Sequence, residues 1–126
     1  MDADPVAVLI VDDQGPFRAV ARTVVGVTAG FKVVAEADSG EAAVTEARAV
    51  APGLVLMDIN LPGINGIDAT RQILAGAPDT VVILLSTYDA GDLPADAASC
   101  GAAAYVHKED FSPDEVRRIW DGRIKV

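Results

Sequence analysis

Positive charge, cysteine, histidine and long apolar runs are all scarce in this chain, and each shortage excludes something. Ten Lys and Arg stand against nineteen Asp and Glu, a formal charge of −9. That balance argues against a surface built for nucleic acid or for an anionic membrane. The single cysteine, Cys100, cannot close an internal disulfide, which is in keeping with a reducing cytoplasm. The single histidine, His107, has no second His or Cys at ligand spacing, so it is not read as a metal ligand. No apolar run reaches the roughly 18 residues of a membrane span, and the opening Met-Asp-Ala-Asp-Pro lacks the order of a signal peptide. The expectation is a cytoplasmic protein.

What is present describes a packed globule. The chain has 126 residues, 51% hydrophobic and 23% charged, enough to bury a core without a disulfide or structural metal. At roughly 100 to 200 residues per domain it makes one domain over 1–126, with its core at about 6–121. The acidity is uneven. Residues 1–106 hold fourteen acidic and five basic side chains, whereas residues 107–126 hold five of each. Several acids in the body of the chain therefore call for a local purpose.

Short β-branched runs recur at Val6 to Val11, Lys32 to Ala37, Leu54 to Met57, Thr80 to Ser86 and Ala103 to Val106. Runs apolar on both faces, spaced too widely for hairpins, indicate a parallel sheet covered on both sides by helices. The first helix carries a stripe of Phe17, Val20, Val24 and Val27, with Pro16 in its first turn. The second starts near Asp38 or Ser39 on a thin stripe of Ala43, Ala47 and Val50, and the third follows Gly66 with Ile67, Thr70, Ile73 and Leu74. The fourth contains Pro94, so it is expected to begin near Asp92 and to be short. The fifth opens with the capping box Ser112-Pro-Asp-Glu115, buries Val116, Ile119 and Trp120, and stops at Gly122. The fold class is α/β, a doubly wound (βα)5 unit, whose ligands bind beyond the carboxyl ends of the strands.

Those ends hold the informative polar residues: Asp12 and Asp13 after strand one, Asp58 and Asn60 after strand three, Ser86 after strand four, Lys108 after strand five. Converging carboxylates repel one another unless a counter-charge is present. A hard cation such as Mg2+ removes the conflict. A metal, a nucleophilic carboxylate, a lysine and a hydroxyl donor together suit phosphoryl transfer. Asp58 is the candidate acceptor. Taken singly, an acidic pair past a strand is often a solvated turn, Ser86 a hydroxyl bonded to backbone, and Lys108 an ordinary surface lysine. Their placement on successive strand ends favours one pocket.

The segments Val8-Leu-Ile-Val-Asp-Asp13, Leu54-Val-Leu-Met-Asp-Ile-Asn-Leu-Pro62 with Gly66, Ile83-Leu-Leu-Ser86 and Ala104-Tyr-Val-His-Lys108 resemble the receiver domain of two-component response regulators, from Val6 to about Trp120. The resemblance implies a flavodoxin-like sheet in strand order 2-1-3-4-5 and a phosphorelay switch rather than an enzyme with a separate substrate. It implies that Asp58 takes a phosphoryl group from a sensor histidine kinase or phosphotransfer protein. Asp12, Asp13, Asp58 and the backbone carbonyl of Asn60 would hold Mg2+, with Mn2+ as a substitute. Lys108 would pair with the phosphoryl oxygens, and Ser86 and Tyr105 would move as the switch. A downstream protein would dock on the face of helix four, strand five and helix five, and phosphorylation could drive homodimerisation. No output domain is expected in this chain, hence no binding of nucleic acid or membrane by it. Asn60 and Tyr88 would flank the pocket and tune the acyl-phosphate lifetime.

Three positions depart from the family pattern: Thr87 after the switch hydroxyl, Glu109 where a proline is frequent, and Pro94 within helix four. Two rivals are weighed against this reading. A haloacid-dehalogenase-like phosphohydrolase carries Asp-x-Asp after its first strand, whereas here the pair is adjacent. A pseudo-receiver acting as a phosphorylation-independent binding module would lack an acid or the lysine, and none is lacking.

Overall fold

A computed structural model describes residues 4–88 and 90–123. Five parallel strands, β1 (Val6–Val11), β2 (Phe31–Ala37), β3 (Leu54–Asp58), β4 (Val81–Ser86) and β5 (Ala104–His107), form one sheet in the order β2-β1-β3-β4-β5. The helices are α1 (Gly15–Gly26), α2 (Gly40–Val50), α3 (Gly66–Gly76) and α4 (Pro113–Gly122).

The alternation of the strands produces two cores. Leu9, Val11, Val55, Met57, Val82 and Leu84 point to the side covered by α2 and α3. Val8, Ile10, Leu54, Leu56, Ile83, Leu85 and Val106 point to the side covered by α1 and α4. Because both faces are apolar, a one-residue slip in register would still bury hydrophobic side chains but would misplace every strand-end carboxylate. The pairs Asp58 to Leu85 and Ser86 to His107 fix the register at the functional edge.

The helix starts follow their caps. Ser39 accepts from the Ala42 N–H at 3.1 Å, Asn65 from Asp68 at 2.9 Å and Ser112 from Glu115 at 3.2 Å. The capping box is only half formed. The Glu115 carboxylate turns outward to pair with Arg118 at 2.7 Å instead of reaching back to the cap.

Three further expectations need correction. The stripe on α1 is rotated: Ala21 and Val25 are its buried residues, while Val20 and Val27 are 51% and 69% exposed. A stripe drawn through large side chains misses Ala21, whose small side chain lets the helix approach the sheet. Between β4 and β5 no α-helix forms among the described residues. Two 3-10 turns, Ala90–Asp92 and Ala95–Ser99, take its place. Pro94 supplies no N–H and disfavours a helical residue before it, and Gly101, at φ 99°, closes the segment seven residues later. Too few residues remain between them for a second α-turn. Cys100 is buried at the end of this segment and donates to the Ala97 carbonyl at 3.3 Å, as a small apolar residue. Trp120, expected in the core, is half-buried and meets Phe31 edge-on at 5.5 Å.

Candidate functional site

The carboxyl ends of β1 and β3 bring Asp12, Asp13 and Asp58 together, with one oxygen of each within 4.8 Å of the others. Asp12 and Asp58 are buried and Asp13 is exposed. Asp12 is gripped on three sides. Its N–H donates to the Ala37 carbonyl at 3.0 Å, its Oδ1 accepts from the Gln14 N–H at 2.8 Å, and its carbonyl accepts from Arg18 Nη1 at 2.7 Å. Its Oδ2 lies 2.7 Å from Lys108 Nζ, which is also 3.6 Å from Asp58 Oδ2. Apart from this ion pair the buried Asp12 Oδ2 has no hydrogen-bond partner among the described residues.

Lys108 is itself well placed. Its ammonium stands over the Phe17 ring, 4.5 Å from the centroid, so α1 supplies the apolar wall against which the charge is held. The peptide bonds around it are trans, as are all those among the described residues, with Glu109 following the lysine.

Burial pushes the Asp58 carboxyl up to about 6, and the charge of Asp12 adds to the effect, while Lys108 and the Asn60 N–H oppose it. Gly66, the first residue of α3, lies so near that an added Cβ would fall 2.0 Å from the Asp58 carbonyl oxygen. The helix can start beside Asp58 only with glycine at that position.

Ser86 is buried at the end of β4, and its Oγ accepts from the Tyr88 N–H at 3.0 Å. Thr87 is exposed. Tyr88 reaches from this loop to β3, its hydroxyl donating to Asn60 Oδ1 at 3.2 Å. The Tyr105 hydroxyl donates to the Ser86 carbonyl at 3.3 Å and makes a close hydrogen bond to the Tyr88 carbonyl. The candidate site residues Asp12, Asp13, Asp58, Asn60, Ser86, Tyr105 and Lys108 thus lie at one edge of the sheet. Three contributors escaped notice there: Phe17 beneath Lys108, Arg18 on the Asp12 carbonyl, and Glu41, whose Oε2 accepts from the Ile64 N–H at 3.2 Å and steadies the β3–α3 loop. The i, i+4 spacing of Arg18 and Arg22 on the first helix is the one sequence signal that marks the second of these, and their meeting with Glu36 emerges only in the fold.

The donor set fits a hard divalent cation. It is all oxygen, it includes a buried carboxylate oxygen without a hydrogen-bond donor, and its mutual repulsion is only partly met by Lys108. A parallel α/β domain with an acidic cation pocket beside a lysine and a hydroxyl belongs to the phosphoryl-accepting switches in chemistry. Residues 8–120 match the response regulator receiver domain, and the chain belongs to that family, the phosphorylation-dependent signalling domain of two-component systems. Receiver domains bind Mg2+ at this acidic pocket.

Among curated relatives, the response regulator UvrY of Escherichia coli is 41% identical over 120 residues, 92% of this chain and 55% of its own length. The response regulator GacA of Pseudomonas viridiflava is 37% identical over 82% of this chain and 48% of its own. The chain therefore spans about half the length of the curated relatives it matches. Among solved structures, the receiver domain of the putative response regulator NarL from Mycobacterium tuberculosis superposes with a TM-score of 0.85 at 29% identity, covering 95% of this chain and 97% of that one. A chain of the CheX–CheY–BeF3–Mg2+ complex from Borrelia burgdorferi gives 0.80 at 27% identity, covering 97% and 92%. No helix among the described residues is long and apolar enough to cross a membrane.

Proposed function

We propose that Asp58 is the phosphoryl acceptor and that Asp12, Asp13, Asp58 and the Asn60 carbonyl hold the Mg2+ on which acceptance depends. The observation that carries this reading is the meeting of Lys108 with both buried carboxylates, at 2.7 Å from Asp12 and 3.6 Å from Asp58. When bound, the cation neutralises carboxylate and phosphoryl charge so that an anionic nucleophile can approach an anionic donor.

The chain's own residues do the rest. An Asp58 carboxylate oxygen attacks phosphorus, and the donor leaves with the bonding pair. Lys108 swings its ammonium to the new phosphoryl oxygens, and the Ser86 hydroxyl exchanges its acceptor role toward Tyr88 for donation to the same group. Tyr105, bonded to both loop carbonyls, follows the loop when Ser86 moves. The Tyr88 to Asn60 hydrogen bond crosses beside the acceptor and governs how water reaches the acyl phosphate. In the metal-free site Asp58 takes up a proton as pH drops through about 6, and Mg2+ must displace that proton before the carboxylate can act as a nucleophile.

The donor in this reading is a phosphohistidine on a sensor histidine kinase or phosphotransfer protein, and the chain turns over no separate substrate. Its output face comprises β5, α4 and the 3-10 segment that replaces the expected fourth helix. The Borrelia complex supplies a model experiment, since its chain is described with BeF3 and Mg2+. Adding both to this protein should shift the amide resonances of Asp58, Ser86, Thr87 and Lys108 together in NMR spectra. No response to Mg2+ with beryllofluoride would replace the switch with a binding module.

A further inference from the structure

His107 takes no part in the reaction just described, yet its ring joins the two segments that deliver Ser86 and Lys108. It is paired with Ser86 in the β4–β5 register. Its Nδ1 accepts from the Glu109 N–H at 3.1 Å, and its Nε2 lies 3.0 Å from the Thr87 carbonyl oxygen. A nitrogen that accepts carries no hydrogen, and a carbonyl can only accept. The ring therefore carries its hydrogen on Nε2 and donates it to Thr87. One bond caps the turn Lys108–Asp110, and the other crosses to the loop after β4.

The position of those two bonds gives them significance. Thr87 directly follows Ser86, and Glu109 directly follows Lys108. β5 is only four residues long and ends at His107, so the backbone ladder stops where the lysine begins. Beyond the ladder the imidazole ties the residue after Ser86 to the residue after Lys108, while the Tyr105 hydroxyl holds the same loop from within β5.

We propose that His107 is a positioning residue, a rigid strut that sets the spacing between the Ser86–Thr87 loop and the Lys108 turn. A phosphoryl group on Asp58 then meets hydroxyl and ammonium together. The inference rests on Asp58 being the acceptor. Its physical basis is preorganisation: donors already held at the right separation lose less freedom when the anion arrives. Capping alone does not require imidazole, because a shorter asparagine caps such a turn as well. The longer ring also reaches Thr87, which asparagine does not.

The test compares wild type, His107→Asn, His107→Gln and His107→Phe, using the whole chain, with Mg2+ alone and with Mg2+ plus beryllofluoride. Asparagine keeps the cap and removes the strut, phenylalanine removes both, and glutamine retains reach toward Thr87. The expected result is Mg2+ affinity within about twofold of wild type in every variant, with beryllofluoride affinity about three- to tenfold weaker in the Asn and Phe variants and partly restored in Gln. In wild type, ring nitrogen NMR should show the hydrogen on Nε2. Wild-type beryllofluoride affinity in His107→Asn would overturn the proposal, leaving the ring as a cap. So would equal loss of Mg2+ and beryllofluoride binding, which marks a general distortion, or a ring hydrogen on Nδ1. A wild type that binds Mg2+ but no beryllofluoride would overturn the acceptor reading itself, and the strut with it.

Discussion

Lys108 and Asp12 meet at 2.7 Å across the ends of β5 and β1, where both side chains are almost wholly enclosed. The cation holds together a pocket whose other charges repel. Removing it with Lys108→Met leaves two buried carboxylates uncompensated and should destabilise the metal-free protein by about 3 kcal/mol at neutral pH. It should also raise the Asp58 titration above about 6, since Lys108 is the main group holding it down. Mg2+ should still bind and should recover most of the stability, whereas the beryllofluoride response should vanish. Denaturant melts with and without Mg2+ check each part.

Asp58 sets the direction of a pH dependence. Its carboxyl is raised to about 6 in the fold and returns to the ordinary carboxylate range on unfolding. Between those values the native state binds more protons, so stability falls as pH rises from about 4 to about 6. At neutral pH the ionised side chain therefore costs stability, on the order of 2 kcal/mol. Asp58→Asn should stabilise the metal-free protein by about that amount at pH 7 and by little at pH 4. Thermal melts at the two pH values provide the comparison.

Arg18 offers a test in which position and charge predict opposite signs. Its guanidinium donates to the Asp12 carbonyl at 2.7 Å and to Glu36 at 3.3 Å, while Arg22 pairs closely with the same glutamate. Deleting a positive group near a cation site should by itself tighten Mg2+ binding. Releasing the β1–α1 turn should weaken it. Arg18→Ala is expected to weaken Mg2+ affinity about threefold or more, the worth of a hydrogen bond to a charged group offset by the charge effect. Titration calorimetry reads the sign directly.

Gly66→Ala should be damaging out of proportion to one methyl group. The added carbon would fall 2.0 Å from the Asp58 carbonyl oxygen, backbone that cannot swing aside. α3 or the end of β3 must shift, at about 2 kcal/mol or more, with a loss of Mg2+ affinity alongside. Gly76→Ala, which meets nothing within 4 Å at the other end of α3, provides the control and should be neutral or mildly stabilising.

Much of this was legible in the sequence because strands buried on both faces appear as continuous β-branched runs. The parallel sheet and the location of Asp12, Asp13, Asp58, Ser86 and Lys108 at one edge followed from those runs. The inward face of α1 did not, because burial there depends on Ala21, a residue without a hydrophobic signature of its own. Pro94 did disclose a weakened fourth helix, though not that the segment would become two 3-10 turns. His107 and Phe17 were opaque for a different reason. Their roles come from neighbours far apart in the chain, Thr87 for the one and Lys108 for the other, which only the strand order brings together.

The most direct test of the central claim is intact mass after incubation with Mg2+ and phosphoramidate or acetyl phosphate. Wild type should gain one phosphoryl group at Asp58 when Mg2+ is present and none when Mg2+ is left out of the reaction. Asp58→Asn should gain none. An unmodified wild type, or a phosphoryl group that persists in Asp58→Asn, would contradict the account.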